Sequence, residues 1–154
     1  MRLIVVNNSY PPDDRGGYAL GCQRIVQSLR ARGHEIGVLA AAGRPETPMA
    51  EGVYRWLVKD PKENSRWQAV FLKELVNQAS FQMLCRDLRP DALLAFDLSH
   101  ISVSLAIPAH ELGLPVYFYV ASDWLATWER DRWYQTWPKG SGGFRALRFL
   151  SRHF

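Results

Sequence analysis

The sequence predicts an α/β fold, a Rossmann-like parallel sheet with helices on both faces. Three observations carry this. Short apolar runs alternate with segments of helical period along residues 1–120. The first run, Leu3–Val6, is apolar on both faces, as a strand covered from both sides must be. Gly33, Pro90, Gly113 and Pro115 punctuate the transitions.

Each element follows in order. After the strand Leu3–Val6, Tyr18, Cys22, Ile25, Val26 and Leu29 share one face of a helix spanning Tyr18–Arg32, which Gly33 ends. Glu35–Ala41 reads as the second strand, and Val53–Val58 as a weaker third after a loop from Gly43 to Gly52. Asp60-Pro61 begins a turn, and Asn64 or Ser65 caps a long helix ending near Leu88. Pro90 precedes a strand at Ala92–Phe96. A helix around Ile101–Leu112 accommodates or is kinked by Pro108, and Pro115 introduces the strand Val116–Val120. Right-handed crossovers predict the strand order 3-2-1-4-5. Ligands of such sheets bind outside the carboxyl ends of the strands, where the order reverses between strands 1 and 4. Three loops therefore matter most: Asn7–Gly17, Asp97–His100 and Ala121–Trp124.

Composition narrows the function. At 154 residues, 47% hydrophobic and 22% charged, the chain suits one globular domain and excludes a disordered tail. Cys22 and Cys85 lie in helix-like stretches without metal-ligand spacing, which suits a reducing cytosol and argues against a disulfide scaffold or zinc site. The longest clean apolar run, Leu114–Ala121, is eight residues, against the roughly 20 of a bilayer span. Residues 121–154 hold six Arg/Lys and three Asp/Glu, so most of the net charge of +4 is local and too small to make nucleic acid a partner.

The first loop is the most informative segment. Pro11-Pro12 stiffen its start, and Gly16-Gly17 let backbone N–H groups approach a phosphate or sugar hydroxyl at a helix N-terminus. A long surface loop whose glycines merely begin the helix is the bland alternative. No dinucleotide fingerprint fits, because the glycines fall at 16, 17 and 21, some ten residues after the strand, and no GxxxxGK[ST] exists. Asp13, Asp14 and Asp97 suggest a receiver-type acidic pocket, but Ser122-Asp123 stand where that pocket needs a lysine. Asp123 and Asp97 are placed to accept a proton or orient a hydroxyl, and each is equally a good helix or turn cap. His100 lies at the cleft edge, whereas His34 satisfies a turn at the opposite end of the sheet. Trp124, Trp128, Trp133 and Trp137 recur at spacings that build an aromatic face, either for sugar stacking or for packing. The basic tail Phe144–Phe154 is amphipathic and suits an anionic lipid surface or a protein partner.

Tyr10-Pro11-Pro12, then Gly16-Gly17, then a helix closing Leu29-Arg30-Ala31-Arg32-Gly33-His34-Glu35-Ile36, resembles the N-terminal domain of GT-B glycosyltransferases of the family-4-like group. Arg89-Pro90-Asp91 and Gly113-Leu114-Pro115-Val116 are similar to later landmarks of that family, so the resemblance spans residues 1 to about 124. It implies the acceptor-side half of an enzyme that moves a sugar from a nucleotide-sugar donor to an acceptor hydroxyl. The acceptor is a saccharide or lipid-linked, and there is neither an obligatory metal nor another cofactor. Gly16 and Gly17 would lie at the donor diphosphate, Asp123 and Asp97 would do the catalytic work, and Ser122, Trp124 and His100 would contact the acceptor. The single domain 1–154 would face a C-terminal donor-binding domain that this chain lacks. Such an enzyme is expected in the cytoplasm, with peripheral contact at the inner face of the membrane. The family often carries a histidine at the end of the fifth strand; Ala121-Ser122 stand there, so no role of that histidine is carried over. A non-catalytic saccharide- or protein-binding module is the alternative.

Overall fold

The computed structural model describes residues 1–44, 50–60 and 66–126. Strands β1 (Arg2–Asn7), β2 (Glu35–Ala41), β3 (Val53–Leu57), β4 (Ala92–Asp97) and β5 (Val116–Phe118) form one parallel sheet in the order β3-β2-β1-β4-β5. The expected order is the observed one, with the reversal between β1 and β4.

The period-2 pattern of β1 divides the core. Ile4 and Val6 pack with Leu39, Leu57, Phe81, Leu84, Leu93 and Leu105 on the face covered by α2 (Trp67–Leu88) and α3 (Ala106–Glu111). Val5 packs on the other face with Cys22 and Val26 of α1 (Gly17–Ala31), together with Val38, Ala40 and Phe96. Burial from both sides is why strands β1, β2 and β4 are nearly uninterrupted apolar runs.

Glycine ends two helices as expected. Gly33 (φ 82°) and Gly113 (φ 69°) take left-handed backbone after α1 and α3. In each case two reversed bonds close the turn, His34 N–H to Leu29 O at 3.1 Å and Leu114 N–H to Ala109 O at 2.9 Å being the outer ones.

Three boundaries depart from expectation, each for a local reason. Helix α2 starts at Trp67 with Arg66 in the capping position and no side-chain cap, rather than from Asn64 or Ser65, which lie outside the described residues. The helix expected from Ile101 begins later, because His100 (φ 65°) and Ser102 (φ 110°) adopt positive φ that no helix admits. A short 3-10 turn (Val103–Leu105) then leads into α3, and Pro108 falls in the first α-helical turn, where no intrahelical N–H bond is required of it. Strand β5 stops at Phe118 instead of Val120. Tyr119 N–H still reaches Ala95 O, but the Ala121 amide is taken by the Tyr18 hydroxyl, which draws the chain off the sheet.

Candidate active site

The carboxyl ends of β1 and β4 meet at an irregularity. Val6 pairs with Ala95, but Asn7 pairs with Asp97, so β4 carries one extra residue there. The bulge sets Asp97 where its carboxylate serves two loops. Oδ1 accepts from the Ser99 amide at 2.8 Å, and Oδ2 accepts from Asn8 Nδ2 at 3.0 Å. Asn8 also donates to Ser99 Oγ at 2.9 Å, and its own amide bonds Asp97 O at 2.8 Å. Asp97 is buried and both its oxygens are engaged, so it ties the first loop to the fourth.

The first loop is held along its whole length. Asn7 is buried and donates to Ser9 O; Ser9 Oγ donates to Asp14 Oδ2 at 2.6 Å; Asp14 Oδ1 accepts from the Gly16 amide at 2.7 Å. The Ser9 hydroxyl, then the Gly16 amide, hold the Asp14 carboxyl below its ordinary range. Arg55 reaches across from β3 to Pro11 O (2.6 Å) and Tyr10 O (3.2 Å) and pairs with Asp13 at 2.7 Å. This loop is therefore a built structure rather than slack between two elements.

Helix α1 opens directly from it. Gly16 is the capping residue in extended backbone; it offers no side-chain cap, and the first turn holds no acidic residue. Apart from the Asp14 carboxylate on the Gly16 amide, no side chain caps the first turn of this 15-residue helix. A Cβ on Gly17 would meet no atom within 4 Å, so packing does not demand glycine there, whereas a Cβ on Gly16 would crowd Asp14 Oδ1 at 3.2 Å. Such an N-terminus suits an anion approaching along the backbone.

Tyr18, the next residue, joins α1 to the loop after β5. Its hydroxyl accepts from the Ala121 amide at 2.7 Å and donates to Ser122 Oγ at 3.2 Å. Its ring meets Tyr119 edge-on, and Tyr119 stacks on Phe96 with centroids 4.7 Å apart. The loop at Ala121-Ser122 is thereby tied to the first turn of α1 through the Tyr18 hydroxyl, and Asp123 follows it, exposed. His100 stands on the neighbouring loop, its side chain 71% exposed.

Trp124 differs from the expected acceptor wall. It is 6% exposed, packs near Phe118 and belongs to the core on the α2 side, so packing claims its ring. Trp128, Trp133, Trp137 and the tail 144–154 lie outside the described residues. Among the described residues, no group of His, Cys, Asp and Glu has the arrangement of a metal site, and no helix is long and apolar enough to cross a membrane.

Sequence reasoning missed Asn8, Arg55 and Tyr18, whose roles are made by contacts 44 to 104 residues apart in sequence. It also missed Lys73 and Glu74, buried polar residues on α2. Only the last pair left a signal: the two fall on the same helical face as Val70, Phe81 and Leu84, where apolar residues belong.

The model of Glycosyltransferase Family 4 matches residues 15–154. The chain belongs to that family. No curated protein matches it. Among solved structures, it is similar to MurG of Acinetobacter baumannii, with 18% identity and a TM-score of 0.53 over 84% of this chain and 38% of that one. It is also similar to a UDP-GlcNAc 2-epimerase from Neisseria meningitidis, with 15% identity and a TM-score of 0.52 over 77% of this chain and 32% of that one. At these identities the likeness is one of fold. The family-4 chain thus spans well under half the length of either neighbour, in the form of one Rossmann-like half.

Proposed function

We propose that this family-4 domain is the acceptor-side half of an enzyme transferring a sugar from a nucleotide-sugar to an acceptor hydroxyl, completed by a donor-binding domain outside residues 1–154. One observation carries the reading. At the point where the strand order reverses, a braced loop delivers two glycines to the N-terminus of α1, and the Tyr18 hydroxyl one residue on bonds the loop after β5 at Ala121 and Ser122.

In this reading, charge develops on the departing diphosphate, and the first-turn N–H groups of α1 from Gly17 onward stabilise it without an obligatory metal, the Gly16 amide being held by Asp14. Asp97 fixes the two loops through Asn8 and Ser99. Asp123 orients the acceptor hydroxyl, and Ser122 and His100 contact the acceptor, a saccharide or lipid-linked sugar. The enzyme works in the cytoplasm, at or near the inner membrane surface, and takes no nucleic acid.

Transfer from radiolabelled nucleotide-sugars by the complete enzyme tests this, with UDP-GlcNAc first because the epimerase of similar fold is bound to it. Gly17→Val puts a branched side chain into open space at the helix N-terminus. We expect turnover to fall about 100-fold or more, the range seen when oxyanion donors are lost, with the melting temperature nearly unchanged. Full activity in Gly17→Val would remove the glycine turn from the site. No consumption of any nucleotide-sugar by the wild type would overturn the transferase reading.

A further inference from the structure

Helix α2 is turned against the usual pattern. Its inward face carries Lys73, Glu74, Asn77 and Ser80, all buried, whereas Leu72, Leu75, Val76 and Met83 point away from the sheet and are between 37% and 60% exposed. Ala79, also exposed, lies among them. Leu72, Val76, Ala79 and Met83 follow one another at steps of four, three and four residues, so they form one stripe along the outer side of the helix. A contiguous apolar stripe on the surface marks a place where something binds.

The spacing points to the occupant. Steps of four, three and four run alike in both directions about a midpoint between Asn77 and Gln78. Two copies of α2 laid antiparallel across a two-fold axis at that midpoint set Leu72 against Met83 and Val76 against Ala79. Each contact then occurs twice, as an isologous interface requires. The small Ala79 beside the axis lets the two backbones come close. Charge selects the antiparallel sense. Arg66, at the start of α2, and Asp87, near its end, are both exposed. A parallel pair sets each beside its own like charge, whereas the antiparallel pair brings Arg66 of one copy toward Asp87 of the other at both ends. A lipid surface fits less well, because it rewards cations along the stripe. Between residues 67 and 85 the only cation is Lys73, buried on the opposite face.

Size agrees with a weak dimer. The 22-residue helix is about 33 Å long and about 10 Å wide, so pairing along its length covers on the order of 350 Å² of each copy. Ile107 and Leu112 of α3, each about half exposed, extend the face beside the C-terminal half of α2, where Gln82, Cys85 and Arg86 share a cavity wall with Pro108 and Leu112. The combined face comes to about 500 Å² on each copy, the lower limit for a specific interface. We propose that the outer face of α2 is a self-association surface, on which a second copy of this chain docks antiparallel to form a reversible dimer.

Sedimentation equilibrium of the full-length protein across the micromolar range tests this, and a monomer–dimer equilibrium is expected. Leu72→Lys and Met83→Glu, each at an exposed position, should each raise the dimer Kd about 10-fold or more, as loss of a central interface residue does. The two variants mixed together, and the double variant alone, should recover dimerisation, because position 72 of one copy faces position 83 of the other. A dimer that both single variants leave intact, or that the double variant fails to recover, overturns the antiparallel pairing on α2. A wild type that stays monomeric throughout overturns the proposal. Flotation of that monomer with phosphatidylglycerol vesicles, lost in Met83→Glu, would assign the stripe to a lipid surface instead.

Discussion

Asp14 shows how one carboxylate organises the loop that opens the site. It accepts from Ser9 Oγ and the Gly16 amide, and both contacts favour its charged form. Its folded pKa therefore lies below the ordinary value of 3.8. The sign follows: the contribution is fully present above the unfolded value and is lost as pH falls through the lower folded one. We expect the Gly16 amide to lose protection, measured against its intrinsic exchange rate, at a pH below the ordinary 3.8, and an Asp14→Asn variant to lack that inflection. A flat wild-type profile would count against the Ser9–Asp14–Gly16 brace. Buried thiols make the opposite case. Burial pushes Cys22 up to about 12 and Cys85 up to about 11, so neither is a thiolate at neutral pH. Alkylation at pH 8 should label neither cysteine until denaturant is added; prompt labelling of Cys22 in the native state would contradict its burial between α1 and the sheet.

At the scale of elements, α2 is unusual in carrying charge on its inner face. Lys73, Glu74 and Asn77 are buried among Val70, Phe81 and Leu84, while Leu72, Leu75 and Met83 face outward. The polar residues bind the helix to the two loops it crosses: Asn77 exchanges bonds with Val58 N–H and O, Lys73 holds Asp60, and Glu74 meets Ser104. Lys73→Met leaves Asp60 and Glu74 without their cation in a dry setting. Removing one partner of a buried pair costs about 3–5 kcal/mol. Chemical denaturation should register a loss of that order, and a loss under about 1 kcal/mol would mean that water already reaches the pair.

Across the whole molecule, the sheet is unequal at its two sides. Among the described residues β5 pairs only with β4, and Tyr117, Phe118, Tyr119 and Val120 are all exposed around that edge. An apolar edge of this kind invites pairing with another chain. Tyr117→Lys should lower light scattering of concentrated solutions on heating, with stability changed by no more than about 0.5 kcal/mol, as for exposed substitutions generally. Equal scattering would show that this edge is not where chains associate.

The limits of sequence reading follow from the range of the forces involved. Strand and helix identity, the order 3-2-1-4-5 and the glycine stops at 33 and 113 are written in apolar period and local backbone preference, which act over a few residues. The sites of the candidate loops follow from the same topology. Which of their residues do the work does not. Asp97 is suited by sequence both to proton transfer and to capping, and the structure adds that its two oxygens bond the Ser99 amide and Asn8. Trp124 is suited by sequence both to stacking and to packing, and the structure buries it in the core. The Tyr18–Ser122 bridge and the Lys73–Asp60 pair join residues from separate elements. The sequence by itself determined the architecture and which loops lie at the carboxyl edge of the sheet. Only the tertiary structure decided which side chains meet there, because hydrogen bonds and ion pairs act across a few ångströms of space whatever the distance along the chain.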